Sequence, residues 1–174
     1  MNGLRRFLLL AMLMACQLAF ADIHFRNWHE EDDEEKWQEA EAPLPAYPQD
    51  ADLLEFYVSA ATANRYFIDA RSIAVGSDDV VRFALVVRTA GGAKNVSYEG
   101  IRCKTLEYRL YATGRADGTW TKARLSEWRP IENKPVNRHH AALSRDYFCP
   151  DGLAIRTTDE GRDALQRGKH PNAK

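Results

Sequence analysis

The nine residues VVRFALVVR, Val80 to Arg88, form an almost unbroken apolar run. Its β-branched valines favour a pleated surface, and a short run without alternation suits a central strand buried on both faces. Gly76-Ser77-Asp78-Asp79 marks a turn before it and Gly91-Gly92 a turn after it. The same grammar repeats on either side. Leu54, Phe56 and Val58 alternate, Tyr66 to Ile68 follows, and Val96 and Tyr98 alternate with Asn95, Ser97 and Glu99. Gly100 interrupts that pattern, which signals a bulge or a close backbone approach. Leu106, Tyr108, Leu110 and Ala112 are assigned to one face, and Thr105, Glu107, Arg109 and Tyr111 to the other. Asp117-Gly118 then leads a hairpin into TWTKARL.

Repeated local turns favour antiparallel pairing, and the alternating helical segments that a parallel sheet requires are missing. After Pro130 the period becomes helical: His139 or His140, Leu143 and Tyr147 fall on one face, ending before Cys149 and Pro150. Thr157-x-x-Glu160 is a capping box that opens a second helix, and Gly168 closes it. The expectation is an α+β, mainly β fold. It is an antiparallel sheet, sandwich or partly open barrel, of about six strands with one or two C-terminal helices.

The N-terminus constrains the compartment. Arg5 and Arg6 precede an apolar run from Phe7 to Phe20, and Ala19-Phe20-Ala21 supplies the small-x-small cleavage pattern of a secretory signal peptide, residues 1–21. The run falls short of the roughly 20 residues of a spanning helix, so no transmembrane segment is expected. A rival reading takes Leu13-Met14-Ala15-Cys16 as a lipid box, giving an outer-membrane lipoprotein anchored at Cys16. In both readings Cys16 is consumed, which leaves Cys103 and Cys149 as one expected disulfide in an oxidising compartment. Closing that loop contributes about 4 kcal/mol on a chain-entropy estimate.

Charge is divided unevenly. Residues 22–52 carry eleven acids against Arg26 and Lys36, a net of −9, whereas residues 53–174 carry a net of +6. The acidic stretch, with Pro43, Pro45 and Pro48 and few aliphatics, reads as an extended leader ahead of a globular domain over 53–168 and a disordered polar tail over 169–174. Trp28 and Trp37 bracket its acids and suggest that part of it packs, and a short helix over Glu30 to Glu41 is one candidate. The leader can also dock on the basic domain and be displaced by an anionic partner. The spacing of a calcium loop is absent.

The stretches NVSYEGIRC, LYATGRADGTW, DYFC and DDVVRF, with an upstream YP, resemble the neisserial-type CNP-like family of exported proteobacterial proteins of unknown function. The resemblance runs from about Trp28 to Cys149 and implies export and a two-cysteine domain. It brings no activity and no catalytic residues.

Chemistry has therefore to be sought in the residues themselves. His139 and His140, with Ser144 or Asp146, are candidates for an acid/base or hydrolytic group, although neighbours on a helix project about 100 degrees apart. H-E-x-x-H, G-x-S-x-G and glycine-rich phosphate or dinucleotide loops are missing from the sequence, and no metal or cofactor is expected. Glu99 beside Gly100 is a candidate ligand-facing carboxylate with Arg102 and Arg109 as counter-charges, the bland alternative being a surface ion pair. The expected function is a non-catalytic envelope domain, periplasmic or secreted. Its arginines, Arg82, Arg88, Arg102, Arg109, Arg124 and Arg129 among them, would bind an anionic envelope protein or glycan, with nucleic acid excluded by export. The alternative is a periplasmic hydrolase or chaperone-like accessory using the His139/His140 region.

Overall fold

The run Val80–Arg88 is the long inner strand of an open antiparallel sheet. The computed structural model describes residues 37–135 and 137–174. The signal segment, the Cys16 box, Trp28 and the acids through Glu35 lie outside the described residues. In chain order the strands are β1 (Leu53–Phe56), β2 (Arg65–Asp69), β3 (Ala74–Val75), β4 (Val80–Arg88), β5 (Lys94–Arg102), β6 (Glu107–Gly114), β7 (Trp120–Lys122) and β8 (Arg129–Pro130). The sheet follows the order β1-β2-β4-β5-β6-β7, six strands, as the turn count suggested. Two two-residue pieces complete it: β3 shares the outer edge of β4 with β2, and β8 shares the outer edge of β6 with β7.

β4 and β5 pair along their whole length, from Val80 against Arg102 to Arg88 against Lys94. On one face Val81, Phe83 and Leu85 enter the main core with Phe56, Ile68, Ile101, Leu143, Tyr147 and Phe148. On the other, Val86 packs with Phe67 and Val96 under Tyr47, Leu53 and Trp120. Burial on both sides explains why the run lacks alternation. A register shift between Tyr98 and Glu99 places Tyr111 as the extra residue of β6, since Tyr98 pairs with Ala112 and Glu99 with Leu110. The bulge corrects the expected alternation. Ala112 lies opposite Tyr98 on the second face, away from Tyr108 and Leu110, because the extra residue shifts the phase of the strand by one. Gly100 allows the close approach: a Cβ there would lie 2.8 Å from the Tyr111 hydroxyl and 3.0 Å from Val80 Cγ1.

The C-terminal part covers the first face. Helix α1 (Arg138–Ala142) continues as a wider π-type turn, Leu143–Phe148, closed by Cys149 N–H donating to Ser144 O at 3.0 Å. Cys103 and Cys149 are bonded, with Cα atoms 5.4 Å apart, and fasten the end of this segment to the chain just beyond β5. Helix α2 (Thr158–Gln166) starts at the expected box: Thr157 Oγ1 accepts from Glu160 N–H at 3.1 Å, and Glu160 Oε2 accepts from Arg156 N–H at 2.6 Å. The segment 169–174, read as a free tail, is docked at His170. That side chain is buried, with Nε2 3.0 Å from Glu160 Oε1.

Gln38–Lys174 form one compact unit, so part of the acidic stretch belongs to the folded body. Residues 37–49 are non-helical, which removes the described end of the helix suggested over Glu30–Glu41. Residues 38–49 form a strap across the second face. Ala40 N–H donates to Asp78 Oδ2 at 2.8 Å and Arg82 Nη2 donates to Ala40 O at 3.1 Å. Further along, Trp120 Nε1–H donates to Pro45 O at 2.9 Å and Tyr47 Oη donates to Arg115 O at 2.8 Å. Composition misses this docking because polar and charged contacts hold the strap in place of aliphatic burial. Among the described residues no helix is long and apolar enough to cross a membrane.

Candidate functional site

Ser97, Glu99 and Ile101 alternate onto the face of β5 that α1 covers, so Glu99 is carried into the core beneath the helix. Its Oε1 accepts from Ser97 Oγ at 2.6 Å, and its Oε2 lies 2.7 Å from His140 Nε2. The two side chains are only 8 % and 5 % exposed. Tyr108, opposite Ile101 on β6, stacks on His140 with ring centroids 3.8 Å apart, and Tyr66 of β2 stacks on His139 at 5.4 Å. The two imidazoles converge to 4.0 Å despite their helical offset. One donor atom from each of Glu99, His139 and His140 falls within 4.8 Å of the others.

The electrostatics follow from burial and proximity. Burial works to raise the Glu99 carboxyl, but the adjoining His140 imidazole and the Ser97 hydroxyl outweigh it and hold the group below the usual carboxylate range. Burial pushes His139 down to about 4, helped by His140 and opposed by Glu99. His139 is thus neutral at pH 7. His140 Nδ1 is buried and makes no hydrogen bond among the described residues.

Glu99 also lines a cavity of about 460 Å³ bounded by Tyr108, Leu110 and Thr113 of β6, Thr121 and Lys122 of β7, Arg124, Leu125 and Glu127 of the following loop, and Arg129 of β8.

The sequence candidates therefore divide. Glu99, His139 and His140 meet, whereas Arg102 and Arg109 do not join them. Gly100 pairs with Arg109 and Arg102 with Val80, so both arginines belong to the opposite face, and the counter-charge expectation is corrected. Arg109 Nη1 donates to Glu39 Oε2, and its Nε donates to Ser126 Oγ at 2.9 Å. Glu39 also accepts from Tyr111 Oη at 2.7 Å and Trp128 Nε1 at 3.1 Å. Arg82, 3 % exposed, is held by Asp78 at 2.6 Å, and Arg88 by Asp50 at 3.0 Å. The Asp146 carboxylate pairs with Arg145 at 2.5 Å, and neither its side chain nor that of Ser144 bonds His139 or His140. Ser97, Tyr66 and Tyr108 were missed as partners of the site. Only strand register puts them there, and the signal available was the shared parity of Ser97 and Glu99.

The model of the CNP1-like family matches residues 32–166. The chain belongs to the CNP1-like family. The match spans every strand and the Glu99–His140 contact, so the site lies within the family's domain in this member. No curated protein and no solved structure matches the chain.

Proposed function

We propose that this CNP1-like protein is an exported cell-envelope domain, periplasmic or secreted after cleavage following Ala21, that binds an anionic glycan or protein without transforming it. Export is supported by the Cys103–Cys149 bond, since disulfides persist in oxidising compartments. The observation that carries the binding reading is the cavity rim. Lys122, Arg124 and Arg129 line the cavity beside one exposed acid, Glu127, and form no ion pair among the described residues, whereas Arg82, Arg88 and Arg109 are already matched by Asp78, Asp50 and Glu39. On this reading the anion binds at one edge of the sheet and not across its whole basic surface.

A second reading, a hydrolase using the His139/His140 region, draws on the Glu99–His140 contact. A general base must reach the substrate proton with a free nitrogen. The free nitrogen of His140, Nδ1, is buried, which favours the binding reading.

The test is calorimetric titration of the protein with a heparin-derived oligosaccharide, a polyanionic glycan probe, at low and high salt. Binding that weakens with salt and is lost in Arg124→Glu/Arg129→Glu but kept in Arg88→Gln is expected. Absence of binding at low salt, or equal binding by the rim variant, overturns the reading.

A further inference from the structure

We propose that Glu99, His139 and His140 form a binding site for a divalent transition-metal ion, with zinc the best match to their donors. Glu99 lines the same cavity as Lys122, Arg124 and Arg129, but the metal proposal is tested without reference to anion binding and stands or falls on its own.

Three observations carry it. The first is the donor set: two imidazoles and one carboxylate within 4.8 Å of one another, a combination of nitrogen and oxygen that suits zinc and its neighbours over calcium or magnesium. The second is charge and satisfaction. Glu99 is a buried carboxylate whose cationic partner, His140, is charged only when protonated, and His140 Nδ1 is a buried atom without a hydrogen bond among the described residues. Burying the Glu99–His140 pair and leaving a nitrogen without a partner both carry a desolvation cost, and a cation held between the three side chains gives the Glu99 carboxylate a permanent positive partner. The third is preorganisation and access. Ser97 fixes the free oxygen of Glu99, Tyr108 and Tyr66 clamp the two imidazole planes, and the cavity beside Glu99 offers an approach and room for a water as a further ligand.

Binding replaces the hydrogen bond between Glu99 Oε2 and His140 Nε2 by coordination of both atoms, with His139 as the third donor. That needs the oxygen and nitrogen, now 2.7 Å apart, to separate by about 0.3 Å for ligands at right angles and by about 0.6 to 0.9 Å for a tetrahedral pair, since each lies about 2.0 to 2.2 Å from zinc.

The experiment uses the full mature protein, stripped with chelator and titrated with Zn²⁺, and with Co²⁺ as a coloured substitute. One Zn²⁺ per chain, a visible Co²⁺ absorption band of a four- or five-coordinate nitrogen–oxygen site, and a raised Tm are expected. His139 is the less buried histidine, so His139→Gln tests the site with the fold kept, and it should weaken Zn²⁺ binding by on the order of 100-fold. Glu99→Gln preserves shape and should do the same, while near-native circular dichroism of both metal-free variants certifies their fold. Stoichiometric Zn²⁺ that survives both substitutions unchanged, or a wild-type protein that neither gains Tm with Zn²⁺ nor shows the Co²⁺ band, overturns the proposal.

Discussion

Glu99 Oε2 lies 2.7 Å from His140 Nε2, between two residues 41 positions apart, one on an inner strand and one on the helix that covers it. The contact is sealed under Tyr108 and braced by Ser97, so it joins the two layers of the domain through polar chemistry inside an otherwise apolar core. Removing one partner leaves the other buried and unmatched. Glu99→Ala or His140→Ala should each cost about 3 to 5 kcal/mol in urea unfolding of the metal-free protein. The Glu99→Leu/His140→Leu double variant, which leaves no orphan, should lose clearly less than the sum of the two single changes.

The same layer predicts a pH dependence. His139 has an ordinary value of 6.5 and is pushed down to about 4, chiefly by burial and then by His140. The folded chain therefore takes up this proton less readily than the unfolded chain. The stability tied to neutral His139 is fully present above pH 6.5 and is lost progressively as pH falls towards about 4. Glu99, held below the usual carboxylate range, titrates beneath the upper part of that window. Urea midpoints measured with chelator between about pH 7 and pH 5 should fall in the wild type and flatten in His139→Gln.

Glu39 is the clasp of the strap. It is 16 % exposed and meets Arg109, Tyr111 and Trp128 at once, with Arg82 3.7 Å away. Glu39→Ala should destabilise the domain by about 1 to 3 kcal/mol, because Arg109 Nη1, the Tyr111 hydroxyl and the Trp128 N–H lose their acceptor. Amide exchange over residues 38–49 should accelerate much more than over β4. Uniform acceleration through the sheet would instead mark the strap as part of the cooperative core.

The space above Gly100 is taken by Tyr111, so Gly100→Ala should cost about 1 to 3 kcal/mol through overpacking. Pairing it with Tyr111→Ala should recover part of that loss, which thermal unfolding of the two variants and their combination can read.

Strand grammar carried much of this architecture. VVRFALVVR, the Gly76 and Gly91 turns, the Thr157 box and the cysteine pair each announce a local or covalent preference that survives into the fold. Gly100 announced a close approach but not its occupant, because the bulge that brings Tyr111 over it depends on how β5 and β6 pair. Glu99 and the two histidines were legible singly as unusual residues. Their meeting was hidden, since it depends on the parity of β5 and on the docking of α1, and side-chain direction along the helix argued against convergence of neighbours. The arginines misled for the opposite reason. Local charge counts cannot see that Glu39 of the strap and Asp50 just beyond it return to match Arg109 and Arg88, or that Asp78 in the turn before β4 folds back onto Arg82.

The account rests most on an exported, singly bridged domain. Intact mass spectrometry of the protein from fractionated cells tests it directly. The prediction is a chain in the envelope fraction beginning at Asp22, two hydrogens lighter than its fully reduced form through the Cys103–Cys149 bond. A chain that keeps its first 21 residues in the cytoplasm, with both thiols free to alkylation, would contradict it.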